Sequence, residues 1–245
     1  MKKEKLLSSL QAFDPEIFAL LQDEIQRQRY MLSLVPNNNA MSPFAHYLEG
    51  SLLANSAFDA QNPNANSTNL EEIAIKRAKK LFGSEHAIVR LGNIGAASRV
   101  VCLALLQPNS RVLSFNLRKA EHCSGLSFTF KNFGIDAKKQ VLDWDEVEQT
   151  ADETKPNMII FSPVSYPRNA NYRRLSEIAR KVGAYLWVDI GQSVGLVAAG
   201  LLPSPVPFAD VVTFPTNDSL HGPDGAIVLS TKEISKKLDD AVNNT

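Results

Sequence analysis

Apolar positions change period along this chain, and the changes mark its elements. Asp14-Pro15 supplies an N-cap with proline at the first helical position, and Ile17, Leu21 and Ile25 then recur every four residues. The spacing predicts an amphipathic helix of roughly four turns, ended by Pro36-Asn37-Asn38-Asn39. Ser42-Pro43 opens a second helical stretch reaching to about Asn55, and the Asn- and Pro-rich residues 59–68 read as a loop. Thr68 and Glu71 form a capping box ahead of Leu70, Ile73, Ala74, Ala78 and Leu81, with Gly83 as the stop.

From there the pattern alternates. Short apolar runs predict strands at His86–Leu91, Arg111–Phe115, Lys138–Leu142, Asn157–Ser162, Ala184–Asp189, Asp210–Phe214 and Ala226–Ser230. Helices are expected at Gly95–Leu106, around Ala120–Phe128, at Arg173–Val182 before Gly183, and at Lys232–Val242. Strands separated by helices need crossover connections, which gives an α/β fold with a mostly parallel sheet sandwiched by helices. In such sheets ligands bind beyond the carboxyl ends of the strands.

Charge adds exclusions. Lys plus Arg and Asp plus Glu both number 26 in 245 residues, so no net field favours nucleic acid or an anionic membrane. No run approaches the ~20 apolar residues of a membrane span, and the short apolar stretch after Lys5 is broken too soon for a secretory segment. Cys102 and Cys123 have neither metal nor disulfide spacing, so the expected compartment is the reducing cytoplasm.

The most informative stretch runs from Ala209 to Leu229, through Thr216-Asn217-Asp218-Ser219-Leu220-His221-Gly222-Pro223-Asp224-Gly225. It resembles the cofactor-anchoring segment of serine hydroxymethyltransferases. Further blocks resemble that family in order: Phe13-Asp14-Pro15-Glu16, Glu24–Gln28, Ser42-Pro43, Gly50–Asn55, Ala74–Gly83, Ala184–Asp189 and Gly195–Gly200. The resemblance implies the large domain of the fold-type I, aspartate aminotransferase-like transferases that depend on pyridoxal phosphate (PLP). It further implies an N-terminal helical arm over residues 1–55, the large domain over 56–245, and dimeric association. The family's smaller C-terminal domain has no counterpart in this sequence.

Residue by residue, the family's site is only partly retained. In that register the aldimine-forming lysine falls on Asp218, the preceding histidine on Asn217, and the arginine of the Gly-Pro-Arg-Gly turn on Asp224. Asp189 takes the place of the aspartate that binds the pyridinium nitrogen, and His122 that of the ring-stacking histidine. The phosphate turn falls on Asn93-Ile94-Gly95, where Gly95 would offer helix-terminal amides and Ile94 replaces a glycine. Gln192 stands in place of a histidine, Asn37-Asn38 in place of Ser-Glu, and Ala57–Gln61 in place of a tyrosine-rich loop donated by the neighbouring subunit.

These residues also have blander roles. A strand-ending Asp189 can order a loop, Gly95 can simply begin a helix, and His122 can be a surface histidine beside an inert Cys123. Asp218, His221 and Asp224 show no metal-ligand spacing and read as a solvated turn, so no metal site and no catalytic residue is assigned. The expected function is a dimerising pseudoenzyme, as a homodimer or a heterodimer with a complete homologue, with no covalently bound PLP. The alternatives are altered chemistry with noncovalently bound PLP or another small anion, and, last, nucleic-acid binding.

Overall fold

The computed structural model describes residues 3–35, 38–55, 66–115, 128–164 and 166–243. The chain divides into two compact units, Met1–Asn38 and Asn39–Thr245.

The first unit holds helices α1 (Lys3–Phe13) and α2 (Pro15–Tyr30). Asp14 both ends α1 and begins α2: its N–H donates to Leu10 O at 2.8 Å, and its Oδ1 accepts from Ile17 N at 3.0 Å. The predicted cap is therefore present. α1 is not legible in the apolar spacing, and α2 stops at Tyr30, where Met31 turns extended before Pro36 is reached. Ile17 and Leu21 remain exposed.

The second unit begins with α3 (Pro43–Glu49) and a 3-10 turn at Leu52–Asn55, so the single helical stretch expected there is broken at Gly50-Ser51. Ser42 caps α3 by accepting from Ala45 N at 3.1 Å. α4 spans Asn66–Phe82, three residues earlier than the capping box predicts, which places Thr68 inside the first turn. Gly83 follows at φ +69°, a left-handed stop that suits glycine. Its inward face is Ile75, Ala78 and Phe82, whereas Leu70, Ile73 and Leu81 of the expected stripe point outward.

Seven strands then form one sheet in the order β1-β9-β8-β7-β6-β2-β3. They are β1 (His86–Leu91), β2 (Arg111–Phe115), β3 (Thr129–Phe133), β6 (Met158–Phe161), β7 (Tyr185–Asp189), β8 (Val211–Pro215) and β9 (Ala226–Ser230). Every pairing from β3 to β8 is parallel, and only β9 runs against its neighbours β8 and β1. The mostly parallel arrangement is as expected. Of the strand predicted at Lys138–Leu142 only the end forms, as β5 (Val141–Leu142), which pairs antiparallel with β4 (Ile135–Asp136) in a small hairpin outside the main sheet. The sheet's edge is β3, whose residues 129–132 are exposed and lack the apolar pattern that would predict it. The helix expected around Ala120–Phe128 falls almost entirely outside the described residues.

Period-2 alternation divides the core between the two faces. Leu113, Phe115, Ile159, Phe161, Leu186, Val188, Val212 and Phe214 point to one side. There they meet α4, α6 (Trp144–Thr154), α7 (Tyr172–Val182) and α8 (Val194–Ala198). Val112, Met158, Ile160, Trp187, Val211 and Val228 point to the other, against α5 (Ile94–Leu105) and α9 (Lys232–Asn243). Among the described residues, no helix is long and apolar enough to cross a membrane.

Candidate functional site

The candidate site lies at the carboxyl ends of β7 and β8 and in the turn after β8. Asp189 closes β7, opposite Thr213 in the parallel register, and both are buried. Period-2 alternation puts Trp187, Asp189 and Thr213 on the same face of the sheet. Trp187 Nε1 donates to Thr213 Oγ1 at 2.9 Å, and Thr213 Oγ1 donates to Asp189 Oδ2 at 3.3 Å. The other oxygen, Oδ1, accepts the Gly191 N–H at 2.8 Å. Donors on both oxygens stabilise the ionised carboxylate.

Residues 216–225 form a turn pinned by Thr216. Its N–H donates to Gly225 O at 2.9 Å, its carbonyl accepts from Gly222 N at 2.8 Å, and its hydroxyl donates to Pro223 O at 2.6 Å. A Cβ on Gly222 would come within 2.8 Å of Thr216 O, and one on Gly225 within 2.9 Å of Thr216 Oγ1. The close approach requires glycine at both positions. A second anchor is Ser219, whose Oγ accepts the Gly195 N–H of α8 at 2.9 Å.

His221 sits at φ +57° and aims its ring away from the turn: Nδ1 lies 2.8 Å from Ala40 O. A carbonyl can only accept, so Nδ1 carries the proton in this contact. Ser42 N–H returns a bond to His221 O at 3.3 Å. His221 thus ties the start of α3 to the turn. Among the described residues, no group of three or more His, Cys, Asp or Glu is arranged to hold a metal ion.

Asp218 departs from the solvated turn expected of it. It is only 6% exposed, and its carboxylate makes no hydrogen bond or ion pair among the described residues. Burial pushes its pKa above the ordinary carboxyl value, and the negative charges of Asp189 and Asp224 push the same way. Asp224 is exposed and takes a short hydrogen bond from the Asn217 amide.

At the start of α5, Asn93 caps the helix with its own side chain, Oδ1 accepting from Ala96 N at 2.9 Å. Gly95 makes room for it: a Cβ there would stand 3.2 Å from Asn93 Oδ1. Part of the first turn's donor capacity is thus already used. Asn38 belongs to the first unit and donates from Nδ2 to Ser33 Oγ at 3.0 Å. His122, Cys123, Asn37 and residues 57–61 lie outside the described residues.

Residues 10–245 match the sequence model of the serine hydroxymethyltransferase family. The chain belongs to the serine hydroxymethyltransferase family. It is 40% identical over 244 residues to the serine hydroxymethyltransferase of Coprothermobacter proteolyticus, a match covering 94% of this chain and 59% of that protein. Against the serine hydroxymethyltransferase of Leptothrix cholodnii it is 33% identical over 253 residues, covering 98% of this chain and 61% of the relative. The chain thus spans about three fifths of the length of these relatives. Its fold is the PLP-dependent fold-type I transferase fold of the family.

The cofactor of this family is an anionic aldehyde, and the described residues of the turn after β8 do not fit it. A covalent bond needs an amine at the position of Asp218. The turn after β8 offers the carboxylates of Asp218 and Asp224 and no lysine. Asp189 is buried and hydrogen-bonded at both carboxylate oxygens. Sequence reasoning gave no role to Thr213, Trp187, Thr216 or Ser219. A polar residue within the apolar run Val211-Val212-Thr213-Phe214, in phase with Asp189, was the available signal for the first.

Proposed function

We propose that this member of the serine hydroxymethyltransferase family does not form an internal aldimine and acts by association, as a dimerising pseudoenzyme. The observation that carries the reading is Asp218: a buried carboxylate stands where the family's lysine amine is needed. The same residues weigh against hydroxymethyl transfer and against noncovalent PLP, since the charge at Asp218 and Asp224 is of the wrong sign.

Association is supported by the surface. Leu70, Ile73 and Leu81 form an outward apolar stripe on α4, and Phe44, Tyr47 and Leu48 are exposed on α3. Exposed apolar area of this kind is a mark of interaction surfaces, and obligate interfaces bury on the order of 2,000 Å² or more. A homodimer, or a heterodimer with a complete homologue, would cover it. We assign residues 1–55 to an arm and 56–245 to the large domain in that assembly.

The experiment is borohydride reduction in the presence of PLP followed by peptide mapping. No pyridoxyl label is expected on residues 213–225, and an adduct there overturns the reading. Labelling of surface lysines is expected background.

A further inference from the structure

Asp218 differs from the other acidic residues of this region in its bonding. It is 94% buried, since only 6% of it is exposed, and its carboxylate has no hydrogen-bonding or ionic partner among the described residues. Asp189 is held by Gly191 and Thr213, Asp224 by Asn217, and the part-buried Asp210 by the Leu186 N–H at 2.7 Å. Buried carboxylates are ordinarily paired. Asp218 is the exception.

Nor can the carboxylate easily leave. Thr216 and Ser219 anchor the backbone on either side of it, and Gly195 and Gly222 press against that backbone at distances a side chain would not tolerate. Asp218 also lies within the fields of Asp189 and Asp224. A second unpartnered polar atom occurs at the same edge of the sheet. Ser162 Oγ is buried without a hydrogen-bond partner among the described residues. Ser162 follows Phe161, which pairs with Val188, so it stands beside Asp189 at the end of the neighbouring strand.

We propose that the turn at Asp218 is a binding site for a small organic ammonium ion, a protonated primary amine without a phosphate group. Such a cation donates a charge-assisted hydrogen bond to Asp218 and is further favoured by the negative charges of Asp189 and Asp224. A multivalent metal ion is the poorer fit, because the nearby carboxylates are not grouped as ligands. A carboxylate where the resemblance implies an amine thus reverses the charge preference of this turn rather than simply abolishing a bond. This inference rests on Asp218 itself and holds whether or not the chain associates with another.

The test is calorimetric titration of the full chain, in an amine-free buffer, with ethanolammonium, benzylammonium, benzyl alcohol, orthophosphate and PLP. Saturable binding of at least one amine is expected, with none of benzyl alcohol, phosphate or PLP. Asp218→Asn, which keeps shape and removes charge, should weaken the amine by about tenfold or more. Asp224→Asn should weaken it less, and serves if the first variant does not fold. Failure of both amines to bind, equal affinity in folded Asp218→Asn, or equal binding of benzyl alcohol overturns the proposal. A carbodiimide cross-link from Asp218 to a lysine of another chain overturns it too, because the cation would then be supplied by protein. None of these outcomes bears on aldimine formation, which the borohydride experiment reads separately.

Discussion

The indole N–H of Trp187 donates to the hydroxyl of Thr213 at 2.9 Å, and both side chains are fully buried. Thr213 in turn donates to Asp189 at 3.3 Å, so a chain of hydrogen bonds runs from the core to the rim of the sheet. Thr213→Val, nearly isosteric, removes the hydroxyl that accepts from the Trp187 indole N–H and donates to Asp189. We expect it to destabilise the fold by about 1–3 kcal/mol, measured as a lower denaturation midpoint at unchanged slope.

Asp218 sets a pH dependence of stability. Its folded pKa lies above the unfolded value, because burial and two neighbouring carboxylates oppose its charge. Between those two values the native state holds a proton that the unfolded chain has released, so stability falls as pH rises through that window. Above the window the full penalty is present. Asp218→Asn should therefore raise the melting temperature by a few degrees at neutral pH, and the gain should fade as pH drops below the unfolded carboxyl value. A variant that melts lower at neutral pH in amine-free buffer contradicts this account.

Restoring the amine should not restore the reaction. In Asp218→Lys the neighbouring Asn217 and Asp224 remain, and neither is a cation. With serine, tetrahydrofolate and PLP, glycine production by this variant should stay at the cofactor-only level. Appearance of activity would mean that the loss resides in one residue.

Gly195 is tested by size alone. A Cβ there would lie 2.7 Å from the Ser219 carbonyl oxygen, a backbone atom that cannot rotate away. Gly195→Ala should cost about 1–3 kcal/mol through forced displacement. It should also shift the turn that carries Asp218, so thermal melting and amine binding are the paired measurements.

For association, sedimentation at micromolar concentration should give a species near twice the 27.0 kDa chain mass, alone or with a complete homologue. Ile73→Glu combined with Leu81→Glu places charge on the outward stripe of α4, away from Ala78 and Phe82. That variant should remain folded by circular dichroism and sediment as a monomer. A stable monomer of the unmodified chain under both conditions would remove the basis for a scaffold role.

The sequence by itself determined the family, the mostly parallel sheet and most of its strands. Those follow from local periodicity and from short motifs, such as Asp14-Pro15 and the left-handed glycines Gly83 and Gly183, whose physics is contained in a few neighbouring residues. The sequence could not show β3 or α1, whose residues lack a clear apolar period, nor that the inward face of α4 is Ile75, Ala78 and Phe82 rather than Ile73 and Leu81. Only the tertiary structure decided that Asp218 is buried. Its surroundings come from β7, β8 and α8, brought together by the sheet register and by the glycine contacts with Thr216 and Ser219. A residue's charge is written in the sequence, but its dielectric surroundings and its neighbours across strands are set by packing, and these turn a polar turn residue into an unpaired buried carboxylate.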